Sequence, residues 1–274
     1  MDSGYVETNG TSIYYEAVGD GPAILFVHAG VADSRMWRGQ MAIDGHRSIV
    51  FDQRGFGKTA WVPGPYSNRA DCLSVLDHLE VETAALVGCS NGGETAMQLA
   101  IVAPERVSSL VLVGASPRGW EPASGWKDDP FWEQASAASE AGDLDEMAVV
   151  DAKLWLAGPE RRLEDLDQGI VELFYDMDLV PLRTERERDE YTTTLEPPTN
   201  DRLESIYAPT LVVVGEHDLS DLHLAARYLA DRLSEQDLVT IPGAAHLPSL
   251  ERPTDFNDVL KAFLGAEFLG GKRP

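Results

Sequence analysis

Ser90 lies in the pentapeptide Gly88-Cys89-Ser90-Asn91-Gly92, a Gly-x-Ser-x-Gly pattern between the apolar run Ala84-Ala85-Leu86-Val87 and a helix-compatible segment from Glu94 to Ala103. A strand that turns abruptly into a helix forces its apex residue into strained backbone. Small residues two places before and after the apex let the neighbouring backbones approach. The serine hydroxyl is then held clear of the sheet, where a substrate carbonyl can reach it. Acyl transfer is the chemistry that suits this arrangement. Alone, the pentapeptide also fits a small-residue turn at the end of a buried strand, so other residues must decide.

A serine hydroxyl is a weak nucleophile at neutral pH. It needs a base, and the base needs an acid to orient it. Val214-Gly215-Glu216-His217-Asp218 ends a buried apolar run, which puts Asp218 at the carboxyl edge of a sheet, where open α/β folds gather their ligands. Gly243-Ala244-Ala245-His246 follows the last predicted strand, with small residues that suit a loop passing close to an active centre. His246 is the candidate base and Asp218 the acid that fixes its tautomer. The tetrahedral intermediate also needs two oxyanion donors. The backbone N–H of Asn91 is one candidate, and that of Gly30, in His28-Ala29-Gly30-Val31, is the other. Cys89 occupies the shoulder of the turn and reads as a packing residue. His28 reads as a brace for its loop, and the spacing of the six histidines predicts no metal site.

The elements that must position these groups are legible as alternating strands and helices. Gly4–Thr8 and Ser12–Ala17 flank Asn9-Gly10, a hairpin signal. Ala23–Val27, Ser48–Phe51, Ala84–Val87, Val107–Val113, Thr210–Val214 and Leu238–Ile241 read as buried strands. Segments 68–79, 94–103, 221–233 and 253–264 read as helices. This alternation implies a mostly parallel sheet covered on both faces. From Pro117 to Leu203 the pattern becomes helical and rich in Trp, Glu, Asp and Ala. The expected organisation is a core of residues 1–116 and 204–274 with a helical cap, 117–203, inserted after the Val107–Val113 strand.

The formal net charge of −24 argues against nucleic acid and anionic membrane as partners, because both would repel such a surface. A solvated acidic surface that favours solubility explains it, and a high-salt source is a second setting. No apolar run approaches the ~20 residues that span a bilayer. The start Met1-Asp2-Ser3-Gly4 lacks the pattern of a secretory signal, so the expected compartment is the cytoplasm. Cys72 and Cys89 form no disulfide framework. Monomer and homodimer are both open.

Five segments together resemble the α/β-hydrolase superfamily: His28-Ala29-Gly30, Asp52-Gln53-Arg54-Gly55-Phe56-Gly57-Lys58-Thr59, Gly88 to Gly92, Gly215-Glu216-His217-Asp218 and Gly243-Ala244-Ala245-His246. The order Ser90, Asp218, His246 is also that of the superfamily. Within it, His28 to Trp37, Gly64-Pro65-Tyr66, Ala245-His246-Leu247 and Glu251-Arg252-Pro253 make the chain similar to the carboxylesterase and 3-oxoadipate enol-lactone hydrolase branch. Two departures are Ala29, where the family usually has glycine, and Asn91, where it usually has an apolar residue. Serine at position 90 argues against the superfamily's epoxide hydrolases and dehalogenases, which need a carboxylate there.

The resemblance implies an α/β-hydrolase fold with an inserted helical cap, and a serine hydrolase acting on a small carboxylic ester or lactone without metal or organic cofactor. In the family picture the Asp52–Gly55 turn is a structural brace, with Arg54 buried in hydrogen bonds. Trp37, Trp126, Trp132, Trp155 and Phe174 are the candidate walls of an apolar pocket. Carbon–carbon bond hydrolysis and cofactor-free perhydrolysis use the same triad and are rivals within enzymology. A ligand-sensing protein on the same fold is the rival outside it.

Overall fold

The computed structural model describes residues 1–8, 10–122, 130–233 and 238–269. The chain begins with an antiparallel hairpin, β1 (Asp2–Thr8) and β2 (Thr11–Val18), followed by β3 (Ala23–Val27) and β4 (Arg47–Phe51). Then come α1 (Asn68–His78), β5 (Ala84–Cys89), α2 (Asn91–Val102) and β6 (Val107–Val113). Helices α3 (Pro130–Ala141), α4 (Leu144–Asp151), α5 (Gln168–Leu182) and α6 (Glu185–Tyr191) lie between β6 and β7 (Thr210–Gly215). The chain ends through α7 (Ser220–Leu233), β8 (Val239–Ile241), α8 (Pro248–Glu251) and α9 (Pro253–Leu269).

The eight strands form one sheet in the order β1-β2-β4-β3-β5-β6-β7-β8. Only β1–β2 and β2–β4 pair antiparallel; every pairing from β4 to β8 is parallel. The continuous apolar runs follow from burial on both faces. Along β3, Leu25 and Val27 join one core cluster with Val75, Leu76, Met97 and Leu229 from α1, α2 and α7. Ile24 and Phe26 point the other way, into a cluster with Trp37, Phe256, Leu260 and Phe263. Period-2 alternation thus feeds two cores from one strand.

Helix ends are fixed by local chemistry. The Ser67 hydroxyl accepts from the Ala70 N–H at the start of α1, and the Asp167 carboxylate accepts from Gly169 and Ile170 at the start of α5. Among the described residues, no helix is long and apolar enough to cross a membrane.

Beneath the sheet's carboxyl edge, Arg54 and Asp71 form a bidentate ion pair with both contacts at 2.7 Å. The two residues are 2 % and 1 % exposed. Asp52, also buried, accepts from the N–H groups of Ser34 and Lys58 and so closes the turn that carries Arg54. The Asp52–Gly55 segment therefore acts as a brace.

Candidate active site

Ser90 caps α2 with φ 54° and ψ −119°, a conformation L-residues avoid unless their surroundings impose it. Its N–H donates to the Val113 carbonyl at 2.8 Å, while its own carbonyl receives the N–H groups of Gly93 and Glu94 and so starts the helix. Space at the turn explains the glycines. A Cβ on Gly88 would run into the Gly92 carbonyl, and one on Gly92 into the carbonyls of Val27 and His28. Cys89 is fully buried, and burial raises its thiol well above the usual range, with Asp218 adding to the effect. A neutral, enclosed sulfur is no rival nucleophile.

Asp218 and His246, 4 % and 1 % exposed, come together from the loops after β7 and β8. His246 Nδ1 lies 3.1 Å from both carboxylate oxygens of Asp218. Asp218 Oδ1 also accepts from the Leu219 N–H at 2.9 Å, which holds the carboxylate in place. The backbone of His246 is gripped from two sides. Its N–H donates to the Trp155 carbonyl at 3.2 Å, and the Cys89 thiol donates to its carbonyl at 3.4 Å. The Trp155 ring lies against the imidazole, with centroids 4.6 Å apart and planes at 42°.

Ser90 and His246 line one cavity of about 230 Å³ with Gly30, Val31, Trp155 and residues of α4 to α6. No hydrogen bond joins the two side chains here; such contacts commonly shorten only around substrate. Gly30 and Asn91 are neighbours, since a Cβ built on Gly30 would sit 3.9 Å from that of Asn91. The Asn91 N–H belongs to the first turn of α2, where backbone donors have no partner within the helix. A larger recess of about 350 Å³, bounded by Glu16, Arg35, Arg38 and Lys58, contains neither Ser90 nor His246. The chemistry therefore selects the smaller cavity.

His28 is fully buried. Its Nε2 accepts from the Gln53 N–H at 2.9 Å, so Nδ1 carries the proton and donates to the Ala29 carbonyl at 2.8 Å. Burial holds its pKa below the ordinary histidine value. It thus ties the loop bearing Gly30 to the Asp52–Gly55 turn.

The expected aromatic wall needs correction. Trp37 is fully buried against Phe26 and Phe256, at centroid distances of 5.1 and 6.1 Å, because the 3₁₀ turn Ser34–Gln40 directs it into the core. Phe174 is likewise buried, on the inward stripe of α5 with Val171 and Met177. Neither lines the cavity; Trp155 does. Trp126 and the side chain of Trp132 lie outside the described residues.

Two features of the site went unread in the sequence. Gly114, at φ +51°, follows β6 directly beside the Asp218–His246 pair. A Cβ there would stand 3.0 Å from His246 Nδ1 and 3.1 Å from Asp218 Oδ2. The other is a group of charges on α4 to α6, Asp151, Asp178, Glu185 and Arg188, on the cavity wall. Asp178 had a signal: it shares the buried stripe of α5 with Val171, Phe174 and Pro181, where an acid is out of place.

The fold and these positions define the class. The sequence model of the alpha/beta hydrolase fold family matches residues 22–253, and the chain belongs to that family. It is 27 % identical over 250 residues to 3-oxoadipate enol-lactonase 2 of Acinetobacter baylyi, covering 89 % of each chain. It is 28 % identical over 270 residues to a putative carbamate hydrolase RutD of Azorhizobium caulinodans, covering 95 % of this chain and 98 % of the other. Among solved structures it is similar to Est816, described as an N-acyl homoserine lactone degrading enzyme. That match has a TM-score of 0.77 and 29 % identity, over 95 % of this chain and 100 % of the other. The enol-lactonase of Burkholderia xenovorans, at 23 % identity and a TM-score of 0.78, shares the fold. A hydrolase of the ester or lactone type fits these relatives.

Proposed function

We propose that the chain is a serine hydrolase that cleaves a small carboxylic ester or lactone through an acyl-enzyme on Ser90, in the cytoplasm, with residues 117–203 acting as a cap over the site. His246 Nε2 takes the Ser90 proton as Oγ bonds to the carbonyl carbon. It then returns that proton to the departing alkoxide oxygen as the carbon–oxygen bond breaks. Asp218 holds Nδ1–H toward itself, so that Nε2 is the free base, and balances the imidazolium. The N–H groups of Gly30 and Asn91 receive the negative oxygen of the tetrahedral intermediate. Water, deprotonated by the same imidazole, releases the acid. In a lactone the alcohol stays tethered, so hydrolysis opens the ring.

The observation that carries this reading is the contact of His246 Nδ1 with both oxygens of Asp218, in the cavity that also holds the strained Ser90. Lactone cleavage in the names of the relatives supports the substrate class. The test is steady-state hydrolysis over esters and lactones of graded size. Turnover should fall by about 10³-fold or more in Ser90→Ala. Turnover of diketones in place of every ester and lactone would transfer the triad to carbon–carbon bond cleavage. Stoichiometric binding without turnover would make the protein a sensor.

A further inference from the structure

The cap side of the cavity is charged where a plain alkyl ester would call for an apolar wall. Asp151 closes α4, Asp178 lies on α5, and Glu185 and Arg188 lie on α6; all four line the cavity with Ser90 and His246. Asp151 and Asp178 are hydrogen-bonded carboxyl to carboxyl, a contact that requires a proton. Asp178 is its natural holder. It is 1 % exposed, and its Oδ2 has no hydrogen-bond partner among the described residues, so no donor there compensates a negative charge. Burial and the adjacent Asp151 push the Asp178 carboxyl up to about 9, while burial and Glu185 lift Asp151 to about 6. Near neutral pH the pair therefore carries one proton and one negative charge.

The charges differ in reach. Arg188 is buried: its guanidinium lies over the Phe56 ring at 4.3 Å and donates to the Pro181 carbonyl at 3.2 Å. Asp151 is only half-buried, and Glu185 is exposed. A carboxylate has about four acceptor positions. Asp151 uses one for the Trp155 indole N–H and one for Asp178, which leaves capacity toward the cavity. Asp151 and Glu185 thus offer a ligand acceptors and negative charge, while Arg188, on the same wall with a buried Nε that has no hydrogen-bond partner among the described residues, keeps its guanidinium against Phe56 and the Pro181 carbonyl.

Resting on the ester or lactone reading above, we infer that Asp151, backed by Asp178, is a specificity residue. It selects substrates that carry an N–H donor, ammonium or amide, beside the scissile carbonyl, and disfavours those carrying a free carboxylate.

The test uses four γ-lactones that differ only at the carbon beside the carbonyl, bearing amino, acetamido, propyl or carboxymethyl groups. Calorimetric titration into full-length Ser90→Ala measures binding without turnover. The amino and acetamido lactones should bind about tenfold or more tightly than the propyl lactone, and the amino-to-acetamido ratio separates charge from hydrogen bonding. The carboxymethyl lactone should bind weakest. Asp151→Asn, shown to be folded by its melting curve, should reduce the amino preference to threefold or less. Equal binding of propyl and N–H-bearing lactones overturns the inference, as does no detectable binding of either N–H-bearing lactone. A carboxymethyl preference that disappears in Arg188→Gln also overturns it, assigning the wall to Arg188. Absence of turnover of every lactone and every ester by the wild type would count against the hydrolase reading alone, because the binding comparison stands apart from it.

Discussion

Replacing Gly114 by alanine separates the cost of a strained backbone from the cost of disturbing the acid–base pair. Gly114 has φ +51°, and an added Cβ would lie 3.0 Å from His246 Nδ1 and 3.1 Å from Asp218 Oδ2. Gly45 provides the control, with φ +75° and nothing within 4 Å of the added carbon. An L-residue in this backbone region costs about 1–2 kcal/mol, so both variants should melt about 2–6 °C lower. Only Gly114→Ala must also move its neighbours, by about 0.3–0.5 Å to restore ordinary contact distances. Displacing a catalytic group by about 1 Å can cost 10²-fold, so half of that points to a loss of about tenfold in kcat. KM should change little, because the displaced atoms, His246 Nδ1 and Asp218 Oδ2, face each other and do not line the space a substrate would fill. The assay is steady-state hydrolysis of one good ester, with melting curves on the same preparations. Equal kcat in the two variants would refute the argument that Gly114 leaves room for the pair.

Asp71→Ala removes the carboxylate that balances the buried Arg54 guanidinium, and the fold should lose about 3–5 kcal/mol in urea titrations; a loss below ~1 kcal/mol would mean that the ion pair is no brace. Asp178 should make stability fall with rising pH. Its carboxyl ionises near 3.8 when free and at about 9 in the fold, so across that interval only the unfolded chain gives up the proton. Its contribution is complete below pH ~4 and declines by up to about 1.4 kcal/mol per pH unit toward pH 9. Asp178→Asn should flatten that slope in urea midpoints taken at pH 5, 7 and 9, and parallel slopes would contradict the shared proton. Cys89 should resist iodoacetamide in the native protein, and Cys89→Ala should keep ester hydrolysis; rapid alkylation that abolishes activity would move the nucleophile from Ser90 to its neighbour.

The strands, and the positions of Ser90, Asp218 and His246 at their ends, were legible because their signals are local. A Gly-x-Ser-x-Gly turn, apolar runs bounded by small residues, and a histidine after the last strand each announce themselves within ten residues. Helices α3 to α6, between β6 and β7, were legible as helices for the same reason. The surface they turn toward Ser90 was not. Tryptophan and phenylalanine carry no mark that separates a pocket wall from a core plug, and Trp37 and Phe174 proved to be plugs. Asp151 and Asp178 are far apart in the sequence, on different helices, and meet only after α4 and α5 have packed. Gly114 was missed because its purpose is to leave space for residues more than 100 positions downstream.

Covalent catalysis by Ser90 leaves a mark that peptide mass spectrometry can locate, in protein quenched in acid during turnover of a slowly deacylated p-nitrophenyl ester. The acyl mass is expected on the peptide containing Ser90, at Ser90 itself. None is expected in Ser90→Ala, and far slower accumulation in His246→Ala. Acyl mass on Cys89, or unchanged labelling of Ser90→Ala, would contradict it.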